Sequence, residues 1–293
     1  MGFNAVCFGE VLWDVFPTHK KIGGAPLNVA LRLQSLGINT KIISKVGEDS
    51  NGTRLVNYIQ ENDVSTDYIQ RDATHETGKV TVLLDQDGSA TYEINHPVAW
   101  DKIEMTPALQ GLVSTADVFV FGSLSCRDSV SRTTLYELVK HSKFSVFDVN
   151  LRAPNYTNKV LLDLMNVSNF IKFNDEEIIE LLEFNKLKCN SLEDNIKAIA
   201  KLTNTNQICV TRGPDGAVLY LNSTFYYNNG ISVKVIDTVG SGDSFLAALI
   251  SKLLNKEDPQ IAIDYACAIG SLVAGREGAN PMISEEDITN MLF

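Results

Sequence analysis

Asp237-Thr-Val-Gly-Ser-Gly-Asp-Ser-Phe-Leu-Ala-Ala-Leu249 decides how the rest of the chain is read. A strand-like run at residues 231–236 leads into Gly240-Ser-Gly242, and an apolar helical pattern follows at 244–254. A chain that turns through glycine into a helix aims successive backbone N–H groups, and the positive end of the helix dipole, at one spot. That arrangement suits an anion. Asp243 sits in the same turn. A carboxylate there has two readings. It is a helix cap, or it accepts the proton of a hydroxyl that attacks a neighbouring phosphoryl group. A free Asp titrates near about pH 4, so as a base it takes the proton only as attack proceeds.

Outward from this segment, short apolar runs alternate with helical patterns. Strands are predicted at residues 5–8, 41–46, 117–121, 145–149, 170–173, 207–211 and 217–221. Helices are predicted at 26–36, 53–61, 129–140, 175–184, 192–202, 244–254, 260–274 and 285–292. Strands separated by helices imply βαβ units and a mostly parallel sheet covered on both faces, a three-layer α/β/α sandwich. No internal repeat or low-complexity linker interrupts it, so 1–293 reads as one domain with a small appendage. The appendage is a hairpin: residues 79–84 and 89–94 flank Asp85-Gln-Asp-Gly88. A hairpin does not fit inside a parallel sheet. It extends one edge, or projects as a lid over a pocket at the strand ends.

Two more glycine-bearing segments stand out. In Ile22-Gly-Gly-Ala-Pro-Leu-Asn-Val-Ala30, paired glycines precede a proline suited to a helix start, and Asn28 falls in the first turn. In Cys209-Val-Thr-Arg-Gly-Pro-Asp-Gly216 a strand ends in a turn. Gly78-Lys79 lacks the rest of a Walker A loop, and no G-x-G-x-x-G follows the first strand.

Composition excludes several classes. Hydrophobic residues make 44% and charged residues 21%, the mixture of a globular enzyme. A net charge of −11 disfavours nucleic acid and anionic membranes as partners. Any bound phosphate must therefore be held locally. The five cysteines lack a C-x-x-C spacing and mostly sit in apolar runs, as expected of reduced thiols in a cytoplasmic protein. The four histidines are scattered, which disfavours zinc. No long apolar stretch predicts a membrane span.

Four segments, taken in order, resemble the ribokinase-like (PfkB) family of sugar kinases. Gly23-Gly-Ala-Pro-Leu-Asn-Val-Ala30 is similar to its N-terminal signature and Asp237-Thr-Val-Gly-Ser-Gly-Asp243 to its C-terminal one. Asn174-Asp-Glu-Glu177 resembles its N-x-x-E motif, and Val210-Thr-Arg-Gly-Pro-Asp-Gly-Ala217 its nucleotide loop. The resemblance spans nearly the whole chain. It implies a ribokinase-like fold with lid strands near 12–18 and 78–98, a lid-mediated homodimer, and ATP and Mg²⁺ as co-reactants. It implies Asp243 as base and Gly240, Ser241 and Gly242 as the anion hole. Asp14, Gly23, Gly24 and Asn28 fall on sugar contacts. Thr211, Gly213, Gly216, Gly242 and Asn280 fall on the nucleotide side. Asn174 and Glu177 fall near Mg²⁺, through water, and Asp237 near a monovalent-cation (K⁺) site.

Within the family the chain is most similar to bacterial fructokinases, through Gly9-Glu-Val-Leu-Trp-Asp14, Pro26, Ala99-Trp100-Asp101 and Asp148-Val-Asn-Leu-Arg152. Trp13 is either a wall for a sugar face or core. Arg152 is a candidate for the phosphates or an anionic substrate group, or a structural ion-pair partner. Kinases that act on 2-keto-3-deoxygluconate share D-x-N-x-R, so that sugar acid is the main alternative to fructose, with ribose next. Met282 stands where some relatives place a hydroxyl ligand for potassium. A catalytically silent sugar or nucleotide sensor is the non-enzyme alternative, against which the intact Asp243 and its glycines speak.

Overall fold

The computed structural model describes residues 2–84 and 90–292. In chain order its strands are β1 (Asn4–Phe8), β2 (Leu12–Val15), β3 (Lys20–Gly23), β4 (Asn39–Gly47), β5 (Ile69–Asp72), β6 (Gly78–Leu84), β7 (Ala90–Ile94), β8 (Val118–Gly122), β9 (Ser145–Asp148), β10 (Phe170–Asn174), β11 (Gln207–Thr211), β12 (Ala217–Leu221) and β13 (Thr224–Asn228). Its α-helices are α1 (Ala25–Ser35), α2 (Ser50–Glu61), α3 (Pro107–Thr115), α4 (Ser129–Val139), α5 (Asn158–Asn166), α6 (Asp175–Phe184), α7 (Leu192–Thr203), α8 (Ser241–Leu254), α9 (Pro259–Ala274) and α10 (Glu285–Leu292).

Nine strands form one sheet in the order β13-β12-β11-β10-β9-β8-β1-β4-β5. Pairing is parallel from β5 across to β11, and antiparallel only at β12 and β13. Both faces of this sheet are apolar because side chains alternate along each strand. On β1, Ala5 and Cys7 pack with α1, α2, α8 and α9, while Val6 and Phe8 pack with α3 to α7. Burying a side chain such as Val6 or Phe8 is worth about 1.5–3 kcal/mol. The order reverses at β1, which has β4 on one side and β8 on the other. The predicted three-layer sandwich is thus the observed one.

A separate four-stranded sheet, in the order β3-β2-β6-β7, makes the appendage. The arms β6 and β7 pair antiparallel, as the hairpin reading requires, and β2 adds alongside β6 in parallel. The predicted turn at 85–88 lies outside the described residues. Ion pairing fixes where the lid meets the body. Arg127 makes two bonds to Asp101, at 2.7 and 2.8 Å, and donates to the carbonyls of Ile94 and Asn95 at the end of β7. Its guanidinium lies 4.1 Å from the centre of the buried Trp100 ring. Ala99-Trp100-Asp101 therefore anchors the lid.

One predicted strand is absent. Residues 231–236 lie in no strand or helix, with Val235 and Ile236 60% and 61% exposed. The alternating pattern is real, but the segment does not pair with the free edge of β13. The segment instead hooks onto the end of α9, where Ile236 N donates to Ala274 O. Conversely, β5, β13, α3 and α5 are elements that the apolar periodicity did not reveal.

Candidate active site

Loops at the C-terminal ends of the parallel strands surround a cleft of about 1140 Å³. Glu10 follows β1, Asn150 and Arg152 follow β9, Asn174 ends β10 and Thr211 ends β11. The lid supplies Trp13 and Asp14 from β2 and residues 20–23 from β3, and residues 277–281 close another side. Ligands of open α/β sheets gather here, outside the strand ends where the strand order reverses.

Helix starts mark the active face. Eight of the ten α-helices begin under a side-chain cap: Asp49, Thr106, Asp128, Thr157, Asn174, Ser191, Asp258 and Ser284 each accept from a first-turn amide. Among the described residues only α1 and α8 have none, and glycine precedes both. These two uncapped starts meet. Asn28, in α1, donates from Nδ2 to Asp243 Oδ2 at 2.8 Å, and Asn280 Nδ2 donates to Asn28 Oδ1 at 2.9 Å. Buried Arg32 joins the same elements, through Ser244 Oγ at 3.1 Å and Pro281 O at 3.0 Å.

Gly240 makes the start of α8 possible. Its φ is +76°, and a Cβ there would lie 2.6–2.7 Å from Ala279. The helix begins at Ser241, earlier than the apolar pattern indicates, so Asp243 is its third residue. Ser241 N donates to Thr238 O at 3.2 Å. The amides of Gly242 and Asp243 have no such acceptor among the described residues and remain open, as the first amides of an uncapped helix do.

Beneath them lies a cation that the sequence reading passed over. Lys172 Nζ sits 3.0 and 3.2 Å from the two oxygens of Asp148, and both side chains are buried. Strand periodicity puts Lys172 on the side of Phe170, facing α8, and its Nζ is 3.4 Å from where a Gly242 Cβ would stand. Burial pulls the Lys172 ammonium down, but Asp148, Glu177 and Asp243 more than offset this and hold it above its ordinary value. Asp243 is pushed up to about 6, first by burial and then by Asp148; the Asn28 hydrogen bond, Lys172 and Arg152 pull the other way.

Lining the cleft are Asp14, Gly23, Gly24, Asn28, Arg152, Asn174, Thr211, Asp237, Gly240, Gly242, Asp243 and Asn280. Ser241, Glu177, Gly213 and Gly216 are not on its wall. Asp14 is pushed up to about 6 by burial, against the pull of Arg152 and Lys21. Arg152 is exposed, and its guanidinium donates to Leu151 O at 2.8 Å. No carboxylate lies within ion-pair distance of it among the described residues, which disfavours the structural ion pair. Trp13 is both core and wall: it is 4% exposed, has Arg54 and Lys20 at 5.0 and 5.5 Å from its ring centre, and borders the cleft.

Asn174 and Glu177 form a closed capping box. Glu177 Oε2 accepts from Asn174 N at 2.8 Å, and Oε1 accepts from Leu151 N at 2.9 Å. Glu177 thereby fixes the loop that carries Asn150 and Arg152. Asp237 accepts from Val239 N and Gly278 N, both at 3.1 Å, and meets Lys21 Nζ of the lid at 3.4 Å. Against burial, those amides and Lys21 hold its carboxyl low. Glu10, which the sequence reading quoted within the Gly9–Asp14 run without giving it a role, lines the cleft while 2% exposed.

A carboxylate beside two open amides can serve a hydroxyl that attacks a phosphoryl group, and a lid protects that group from water. Such a fold and candidate site suit a kinase for small polyhydroxy molecules. A family model described as pfkB family carbohydrate kinase matches residues 3–286, and the chain belongs to that family. It is 28% identical to a fructokinase-2 of Solanum lycopersicum over 95% of this chain and 92% of that one. A sugar kinase from Pyrococcus horikoshii, solved in complex with ATP, superposes with a TM-score of 0.83 at 26% identity, covering 99% of this chain and all of the other. The 2-dehydro-3-deoxygluconokinase of Thermotoga maritima gives 0.86 at 20% identity, with 99% of each chain covered. The chain is a sugar phosphotransferase, and the fold it shares with these proteins does not choose the sugar.

Proposed function

We propose that the protein transfers the γ-phosphate of ATP to fructose, giving fructose 6-phosphate. The observation that carries this reading is the hydrogen-bonded chain Asn280–Asn28–Asp243 at the uncapped start of α8. It holds one oxygen of Asp243 fixed and leaves the carboxylate beside two open amides. Asp243 orients the attacking hydroxyl and takes its proton as the bond to phosphorus forms. The Gly242 and Asp243 amides, with Lys172 below, stabilise charge on the transferring group. Asp14 and Asn28 hold sugar hydroxyls, and Thr211 with the turn at Gly213 and Gly216 borders the nucleotide.

Mg²⁺ neutralises phosphate charge when bound. Among the described residues no group of three or more His, Cys, Asp or Glu could hold a metal. This fits an ion that keeps most of its coordination to phosphate and water. Asn174 and Glu177 would reach it through water, since each Glu177 oxygen retains a second lone pair. A potassium ion at Asp237 would share that carboxylate with Lys21. The lid sheet would also make the contact between two copies. Five unpaired cysteines suit a reducing cytoplasm.

Fructose is favoured by the fructokinase relatives and by the carboxyls of Asp14 and Asp243, which accept from neutral hydroxyls. The second reading, a kinase that acts on 2-keto-3-deoxygluconate, is favoured by Arg152, whose guanidinium has no carboxylate partner among the described residues. A coupled assay with ATP and a panel of neutral sugars and sugar acids decides. Fructose should be turned over with the highest kcat/KM; efficient turnover of another substrate with none of fructose rejects the reading.

A further inference from the structure

An ion pair joins the lid to the loops on another side of the cleft. Lys21, on β3, sets its Nζ 3.4 Å from Asp237 Oδ2 and 3.6 Å from Glu277 Oε1. All three residues line the cleft. The Phe16 ring, also of the lid, lies 6.0 Å from that ammonium and is stacked on His19. Asp237 precedes the turn into α8, and its carboxylate ties two loops together. Oδ1 accepts from Val239 N and Oδ2 from Gly278 N, both at 3.1 Å. Gly240 of the first loop packs against Ala279 of the second, and Asn280 beside it bonds Asn28. The charge that sits on Asp237 therefore bears on the placement of the two open amides of α8.

The family resemblance puts a monovalent cation at this carboxylate, and the residues present do not fit one. Gly278 N and Lys21 Nζ take up both lone pairs of Asp237 Oδ2. A potassium ion on the same carboxylate would be repelled by the ammonium. Met282, which the resemblance sets at the position of a hydroxyl ligand, is 92% exposed and ends in a thioether, whereas potassium takes oxygen ligands.

We propose that Lys21 is a positioning residue that stands in for a monovalent cation: its ammonium, carried on the lid, neutralises Asp237 and holds the turn before α8, so that phosphoryl transfer does not depend on potassium. This rests on the kinase reading of the cleft.

Steady-state kinetics of wild type, Lys21→Met and Lys21→Arg test it, in choline, potassium and ammonium chlorides of equal ionic strength. Wild type should give the same kcat/KM for the accepted sugar in all three salts, within about twofold. Lys21→Met in choline should lose roughly tenfold in kcat/KM and regain most of it in potassium or ammonium, as the freed carboxylates take a cation from solution. Lys21→Arg, which keeps the charge, should stay insensitive to the salt. Melting temperatures read the same carboxylates without substrate: exchanging choline for potassium should raise that of Lys21→Met and not that of wild type. Potassium activation of wild type by more than about threefold overturns the proposal. So does an undiminished rate of Lys21→Met in choline, or a loss that neither cation restores, which marks a merely structural contact. Should Lys21→Met not fold, Lys21→Gln takes its place. If wild type accepts a sugar other than fructose, the fructose reading fails alone and Lys21 is tested on that sugar. If no sugar or sugar acid is turned over, the kinase reading fails, and equal responses of the two melting temperatures to potassium reject the role of Lys21 as well.

Discussion

Helices α6 and α8 both begin beside the cleft, and they begin in opposite ways. At α6, Asn174 and Glu177 satisfy each other's backbone amides, and Glu177 reaches on to Leu151 N. At α8, Gly240 adopts a left-handed conformation, offers no side chain, and leaves two amides open above a buried Lys172–Asp148 pair. A capped start contributes about 1 kcal/mol to stability, which α8 does without. Its stability comes from the apolar residues 245–250, all buried. The closed start positions a loop; the open start is the one the proposed reading gives to a ligand. The same contrast separates α1 and α8 from the eight capped helices.

Removing the carboxylate at the open start should have the largest effect. Asp243→Asn is expected to lower kcat by about 10³-fold while ATP and sugar still bind by calorimetry. The same change should stabilise the fold. The folded-state pKa of Asp243, about 6, lies above the ordinary value of 3.8, so the ionised group costs stability as pH rises through that interval. At pH 7 the variant should gain on the order of 2 kcal/mol in urea unfolding.

Next is the charge below the amides. Lys172→Met leaves Asp148 buried and unpaired, a loss of about 3–5 kcal/mol. It also removes a cation that lowers the Asp243 pKa, so the acid limb of the pH–rate profile should move up, a change that mere loosening of the fold would not produce. A closed start far from the chemistry gives the smallest effect. Ser191→Ala, at the cap of α7, should cost about 1 kcal/mol and leave kcat/KM unchanged; a comparable kinetic loss there would erase the distinction between capped and uncapped helices.

Much of the fold was legible because its rules are local. The buried parallel strands announce themselves as apolar runs, and the longer helices through period and caps. What escaped has physical causes. α3 (PALQGLVST) buries only Leu109 and Val113, and α5 buries three residues. Residues 231–236 alternate like a strand but bond to the end of α9 instead of the free edge of β13. In the candidate site, the glycine motifs and Asp243 were visible because their spacing marks a glycine turn that leads into a helix. Lys172 was not: one lysine in an apolar strand means nothing until the partner strand brings Asp148 beside it, 24 residues away. Strand periodicity, which sets Lys172 on the face of Phe170, was the available signal. Glu10, inside the Gly9–Asp14 run, gave no sign of its burial at the cleft wall, which is a fact of packing alone. The motifs also could not reveal that Asn280 bonds Asn28, or that Ser241 spends its amide on Thr238.

The pH dependence of kcat/KM in wild type and Asn28→Ala tests the open-start account most directly. Only ionised Asp243 accepts a proton, so the rate should fall about tenfold per pH unit below a limb near about 6. Losing the Asn28 hydrogen bond, which favours the ionised form, should shift that limb upward. A flat profile between about pH 5 and 8, or a limb that stays in place without Asn28, would contradict it.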